Sequence, residues 1–372
     1  MKQQSQPQPY SPENPTMFTS DNIYFIQLFK DLWSGKLIIA FVTIFFAVGS
    51  FSLSMSMQEW WSSQADVIQA QPQDMSEYQQ QVKQYQAVFN VYQEDGTVLV
   101  SNELDNLVNS SVLYQRFLDT FNSNNNKRNF LEDSIKFHGV NNDSDDSLEM
   151  KEDAKRRLYE EWFGKITAVK IEQIPKISPY KLSFQSTTKE SSFQLLKDYI
   201  YATENQVRQD AFNNLKAVVN GKRNELIQQR IILETQAKNL LLVEVERVKY
   251  AIAIAQAAGV EKPVQIGRDN ELFSIDLGSK GLEAKVKALE SVKNLSVIEP
   301  RLQQIDAKLD MLNNLEIDRT VDFQTFRYLE NVEQPITRDK PKRALIVVLG
   351  TLLGGMLGVA IVLIRFAFRK TD

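Results

Sequence analysis

The side chains that could do chemistry are few, and their spacing argues against most catalytic designs. A single histidine, His138, occurs in the 372 residues, so a Ser-His-Asp triad or a histidine metal site would have to rest on it alone. In "IKFHGVNN" it fits the end of a strand or a turn. Cysteine is absent, which removes disulfides, thiolate metal sites and cysteine nucleophiles together. That absence fits any compartment and sits easily with an oxidising periplasm. A phosphate-cradling loop needs two glycines flanking four residues, then Lys and Ser or Thr, so that backbone donors surround the phosphates. "VNGKR" at Gly221 and "WSGKL" at Gly35 place Lys216 and Lys30 where the first glycine should be, with no hydroxyl residue after the lysine. Nucleotide hydrolysis is not expected.

The acidic stretch "NNDSDDSLEMKED" imitates a calcium loop. Counted from Asn141, it puts Asp143, Asp145 and Glu152 at the third, fifth and twelfth positions of such a loop. The sixth position, which needs glycine for its sharp turn, is Asp146, and the first lacks its carboxylate. A solvated loop in which Asp145, Asp146 or Ser147 caps a helix running to Trp162 is the better reading. With 47 acidic residues, carboxylate pairs can be chosen almost at will, so none is assigned to acid–base work. No catalytic residue, cofactor or metal is expected. A net charge of −4 gives no basic surface for nucleic acid.

The elements that would position a functional surface are clearer. Leu37 to Met57 and Ala344 to Ile364 carry no charged side chain. About 20 apolar residues at 1.5 Å rise cover the roughly 30 Å hydrocarbon core of a bilayer, so each run can span a membrane. The first run is too long and begins too late for a cleaved signal peptide. Lys30 and Lys36 precede it and Glu59 follows, which places the N-terminus in the cytoplasm. Around the second run the rule does not discriminate: Arg338, Lys340, Lys342 and Arg343 precede it, and Arg365, Arg369 and Lys370 follow. The first helix decides, and both termini are then cytoplasmic.

The Gln-, Ser- and Pro-rich residues 1–20 lack the apolar content to fold. "EWWSSQADVIQAQP" reads as a strand leaving the membrane, "KITAVKIEQI" (Lys165 to Ile174) and "YKLSFQST" (Tyr180 to Thr187) as two more, and Thr320 to Val332 as a fourth. From Glu190 to about Ala258 there is no proline and one glycine, so a helix about 100 Å long is expected. Leu241, Val245, Val248, Ile252 and Ala255 form a heptad-like seam on it. Gly259 and Pro263 mark its end. A second helical pattern starts near Gly281, breaks at Pro300 and resumes through Leu302, Ile305, Leu309 and Leu312, so the two stretches suit a hairpin. In the second membrane helix Gly350, Gly354 and Gly358 share one face, with Gly355 beside it. That face packs either on the first helix of the same chain, which offers Gly49, Ser50 and Ser54, or on another chain.

Five segments resemble the Wzz-type chain-length determinants, the polysaccharide co-polymerases of the Gram-negative inner membrane. They are "LWSGK" (Leu32 to Lys36), "EWWSSQADVI" (Glu59 to Ile68), "AIAIAQAAGVEKP" (Ala251 to Pro263), "LGSKGLEAKV" (Leu277 to Val286) and Arg327 to Arg365. The last is the most specific, with Pro335, Arg338, Pro341, Lys342, Arg343, Gly354, Gly355 and Gly358 leading into and through the second helix. The end segment looks most like the O-antigen regulators, and "QEWWSS" is also similar to the enterobacterial common antigen type. Gln69 to Gln86 and the acidic loop near Asp143 fall outside these resembling segments, and no counterpart is matched to them. A related branch carries a tyrosine kinase after the second helix, and the eight residues after Ile364 leave no room for one.

The resemblance implies an α+β membrane protein. It would have two transmembrane helices, a membrane-proximal α/β base with a small sheet, and a very long periplasmic helix with a returning helix. The expected division is a cytoplasmic tail (1–36), a membrane helix (37–57) and a periplasmic domain (58–343), then a second membrane helix (344–364) and a short cytoplasmic tail (365–372). Within the periplasmic domain the base takes 58–189 and 313–343, and the hairpin 190–312. The implied function is non-enzymatic: setting the modal length of lipopolysaccharide O-antigen made by a separate polymerase. The implied partners are other copies in a ring-like homo-oligomer, the O-antigen polymerase, the growing lipid-linked polysaccharide and membrane lipids. The rivals are a regulator of enterobacterial common antigen or capsule, and a coiled-coil adaptor of an export system. A sensor would need an output domain, and a glycan transferase a catalytic constellation.

Overall fold

The computed structural model describes residues 30, 32–93, 95–133, 148–171, 179–264 and 272–369. Residues 1–29 and 31, His138, residues 141–147 of the candidate calcium loop and Lys370 lie outside them. Two units are distinguished: residues 1–64, 184–195 and 333–372 form the first, and residues 65–183 and 196–332 the second.

The first unit holds the two apolar helices, α1 (Lys36–Ser56) and α10 (Arg343–Arg369), each long and apolar enough to cross a bilayer. The second helix runs five residues past the expected Ile364.

A four-stranded sheet runs in the order β4-β5-β1-β6, formed by β1 (Trp61–Gln69), β4 (Ile166–Lys170), β5 (Tyr180–Ser186) and β6 (Phe326–Glu333). Alternation sets the buried face: Ala65 and Val67 on β1 and Leu182 on β5 point inward. Strand β6 starts later than the sequence suggests. Phe323 is drawn into the core, stacked on Tyr78 with ring centroids 4.3 Å apart, and the Gln324 amide donates to the Asp74 carbonyl, so this stretch serves the core instead of the ladder.

The glutamine-rich segment proves to be core. A 3-10 turn (Pro72–Met75), α2 (Ser76–Lys83) and the single turn α3 (Gln86–Phe89) bury Met75, Tyr78, Val82, Tyr85 and Phe89, spaced 3, 4, 3, 4. Each fully buried side chain of this size contributes about 1.5–3 kcal/mol. Burial pushes the Tyr78 phenol up to about 12, and its hydroxyl donates to the Ala211 carbonyl. A two-stranded ribbon follows, β2 (Val91–Tyr92) antiparallel to β3 (Val98–Leu99), with Val91 opposite Leu99 and Tyr92 opposite Val98. Then come α4 (Ser110–Asn122), capped by the Asn109 side chain, α5 (Asn124–Asp133) and α6 (Leu148–Phe163). Phe117 on α4 is fully buried and stacks on Phe326 of β6 at 4.4 Å.

Asp74 links two of these parts. Its carboxylate accepts from the Gln71 amide at 2.8 Å and from Arg327 at 2.7 Å, and the Arg327 contact holds its pKa below the ordinary value. A depressed folded pKa means this stabilisation is present above the unfolded carboxylate value and is lost as pH falls through the folded one. Unfolding at constant ionic strength should therefore steepen below about pH 4 in the native chain. Asp74→Asn should flatten that step; an identical acid limb in both would remove Asp74 from the account.

Helix α7 (Lys189–Ala257) is unbroken over 69 residues. One face is buried along most of its course, through Tyr199, Val207, Ala211, Leu215, Val219, Leu226, Leu233 and Ala237 to Val245, Val248, Ala251 and Ala255. It stops at Gly259, which adopts φ +69°. There the Val260 amide reaches back to the Ala255 carbonyl and the Gly259 amide to Gln256, a Schellman ending.

Two helices return along α7. Helix α8 (Gly278–Glu290) packs Leu282 and Val286 on the seam, with Lys285 2.7 Å from Glu244 and Lys249 2.8 Å from Glu290. Helix α9 (Arg301–Asn314) begins at Pro300 and lies lower, with Asp306 2.7 Å from Arg230 and the Leu312 carbonyl accepting from Arg223. These exposed ion pairs add little energy each and mainly fix the register of an antiparallel hairpin.

Candidate functional site

The small residues of the membrane helices are brought together within one chain. A β-carbon added at Gly358 would lie 2.9 Å from the Ile39 Cα and 3.3 Å from its carbonyl oxygen. At Gly354 it would meet the Phe46 Cβ at 2.7 Å and the Thr43 Cα at 3.1 Å, and at Gly350 the Ser50 Cβ at 2.5 Å. At the far end Gly35 lies under Val362. Numbers fall along one helix as they rise along the other, so α1 and α10 pack antiparallel, with backbones as near as missing side chains allow. Gly355 stands apart, its nearest neighbour on α1 being Thr43 Oγ1 at 3.8 Å, and Gly49 has open space. Of the two packings the sequence leaves open, the contacts on Ile39, Thr43, Phe46 and Ser50 are those of the same chain. Ser54 is buried, its hydroxyl donating to the Phe51 carbonyl.

The proline-and-basic segment before α10 is fastened to the end of α1. Glu59 Oε1 accepts from Arg338 at 3.0 Å and from Arg343 at 2.6 Å. Beside it the Trp60 amide donates to the Lys340 carbonyl at 3.0 Å and the Asp339 amide to the Trp60 carbonyl at 2.9 Å, a short antiparallel bridge. Gln185 ties in β5 through the Asp339 carboxylate at 2.9 Å, and Lys189 covers the Trp61 ring. Pro341 is buried, Pro335 half-buried and Lys342 exposed. Glu59 stands in one of the resembling segments, but its partners lie 279 and 284 residues away, and no local pattern pairs them.

The helical seam also closes within the chain. Val245 and Val248 are buried and Ile252 is half-buried against α8, with Phe273 and Ile275 completing the cluster; Leu241 is half-buried. Gly278, in the segment that starts the return, adopts φ +66°, and a β-carbon there would lie 2.6 Å from the Lys262 carbonyl carbon. Among the described residues there is no group of three or more His, Asp or Glu side chains that could hold a metal. This geometry joins two helices, sets a hairpin in register and presents surface.

Known proteins share this plan over nearly its whole length. The Wzz model, chain length determinant protein, matches residues 21–111, and the model of GNVR, "G-rich domain on putative tyrosine kinase", matches residues 302–367. The ferric enterobactin transport protein FepE of Escherichia coli (strain K12) is 25% identical over 378 residues, covering 97% of this chain and 94% of its own. A chain length determinant protein of Shigella dysenteriae is 28% identical over 357 residues, 94% of each chain. Among solved structures, a full-length bacterial polysaccharide co-polymerase matches with a TM-score of 0.62 at 22% identity, over 93% of this chain and 99% of that one. The fold is therefore that of the polysaccharide co-polymerases: two candidate membrane helices, a small sheet and a long helical hairpin.

Proposed function

We propose that this chain, which carries a Wzz domain on the polysaccharide co-polymerase fold, sets the modal length of lipopolysaccharide O-antigen made by a separate membrane polymerase, without catalysing a step itself. The observation that carries this reading is likeness at both levels, to chain length determinant proteins along the sequence and to a co-polymerase in the fold. The protein sits in the bacterial inner membrane with both termini cytoplasmic and residues 58–343 periplasmic. The base occupies 58–189 and 313–343, and the hairpin 190–312. Basic residues before α10 weaken the charge rule for this orientation. The pairing of Arg338 and Arg343 with Glu59 offsets two of those charges and supports this reading. It works as a homo-oligomer whose helical surface holds or measures the glycan while the membrane helices contact the polymerase.

Deleting the gene should turn a clustered O-antigen ladder on a gel of extracted lipopolysaccharide into a broad one, and re-expression should restore the clusters. A ladder that keeps its clusters would sink the O-antigen reading. Altered enterobacterial common antigen or capsule lengths in the same extracts would move the role to that glycan. The name of one full-length relative favours a second reading, ferric enterobactin transport. It requires that the deletion strain lose growth on ferric enterobactin while its polysaccharide stays unchanged. An adaptor of an export system would instead co-purify with an outer-membrane channel.

A further inference from the structure

Beside the hairpin lies a groove of about 650 Å³, within the range of small-ligand sites. Its walls are the middle of α7, the start of α9 and the β2 edge. Leu226, Leu233 and Ile305, all buried, form an apolar floor. Four glutamines, Gln93, Gln229, Gln236 and Gln304, stand around it. Such amides both donate and accept, which matches the hydroxyls of a sugar and suits neither a purely apolar ligand nor a bare anion. Tyr92 at the rim supplies an aromatic face for the apolar C–H side of a sugar ring.

The charge is unevenly satisfied. Arg301 is held by Glu299 at 2.7 Å, and Lys222 by Glu225 at 2.8 Å. Among the described residues no carboxylate pairs with Lys308; its ammonium donates to the Asn90 carbonyl and lies 5.5 Å from the Tyr92 centroid. Burial, then the charge of Lys222, pushes the Lys308 pKa down, partly offset by Glu225. An anion beside Lys308 would offset that repulsion.

We propose that this groove binds a short stretch of acidic polysaccharide, its sugar faces on Tyr92 and the apolar floor, its hydroxyls on the glutamines and an anionic substituent on Lys308. The proposal rests on the reading of the protein as a polysaccharide-length regulator and gives that reading a contact site.

The test is calorimetric titration of the full-length protein in lipid nanodiscs with oligogalacturonate, with maltohexaose as the neutral chain and sulfate as the bare anion. Oligogalacturonate should bind more tightly than either. Tyr92→Ala and Gln304→Ala should each weaken it about tenfold, and Lys308→Met should remove the preference for the acidic chain. Arg247→Ala, away from the groove, should change nothing. Absence of binding, equal affinity for both chains, or sulfate matching oligogalacturonate would overturn the proposal. So would a shift of oligomer size in the Tyr92 and Lys308 variants without a binding defect, since the groove would then hold a second copy. The length gel separates the two failures. If deletion broadens the ladder while Tyr92→Ala and Lys308→Met keep it clustered, the groove fails and the regulator reading stands; if deletion changes nothing, the regulator reading fails whatever the groove binds.

Discussion

Gly358→Leu and Gly354→Leu will each abolish length control and lower the thermal midpoint of the protein in nanodiscs, whereas Gly49→Leu will do neither. The difference lies in what the new side chain meets. At Gly358 the first added carbon already collides with the backbone of Ile39, and at Gly354 it lies 3.1 Å from the Thr43 Cα, so only movement of a whole helix makes room. Overpacking of this kind costs about 1–3 kcal/mol. In lipid the loss is not offset by hydrophobic association, because tails are as apolar as leucine and close packing is what holds two helices together. Nothing among the described residues lies within 4 Å of a β-carbon at Gly49, so leucine there collides with no backbone of the chain. Gly355→Leu should be mild, its nearest neighbour being the hydroxyl of Thr43 at 3.8 Å. Because the chain has no cysteine, Thr43→Cys with Gly355→Cys gives a clean proximity readout. Oxidation should cross-link the helices within a single chain, and adding Gly358→Leu should suppress the link. A cross-link found only between chains would refute the same-chain packing.

What could be read in the sequence was what local pattern controls. An uncharged run as long as a bilayer is thick, 69 residues without proline, and a glycine followed by a proline each fix an element wherever the rest of the chain goes. The seam from Val245 to Ala255 was legible for the same reason. The glutamine-rich segment was not: eye and average are dominated by glutamine, yet Met75, Tyr78, Val82, Tyr85 and Phe89 keep a heptad spacing that a periodicity count would have found. Contacts between distant residues were beyond reach. The sheet places β1 between β5 and β6, elements more than a hundred residues away, and the groove draws its walls from three separate stretches. The glycine face was visible, but which helix covers it is a property of packing geometry, and Gly350, Gly354 and Gly358 alone leave both answers open.

Glu59→Ala will be the other severe substitution, although Glu59 touches no ligand. Among the described residues it alone joins Arg338 and Arg343, and with the Trp60–Lys340 bridge it ties the end of α1 to the start of α10. Side-chain exposures of 33%, 32% and 23% put the cluster between a surface pair, worth under about 1 kcal/mol, and a buried one, whose breaking costs about 3–5 kcal/mol. Removing the glutamate leaves two cations side by side, so a loss of about 1–3 kcal/mol is expected. Arg338→Ala should cost less than Arg343→Ala, since Arg343 is the more buried partner and makes the shorter contact. The substitutions should not add: in a chain already lacking Glu59, removing either arginine should cost little further, and removing Arg343 should recover some stability by relieving repulsion. Raising salt should narrow the gap between the native chain and Glu59→Ala, because the third of the cluster that is exposed is screened. Thermal unfolding of the three single and two double variants at two ionic strengths decides the matter; additive losses, or a Glu59→Ala midpoint equal to that of the native chain, would show that the backbone bridge holds the helix ends without the charges.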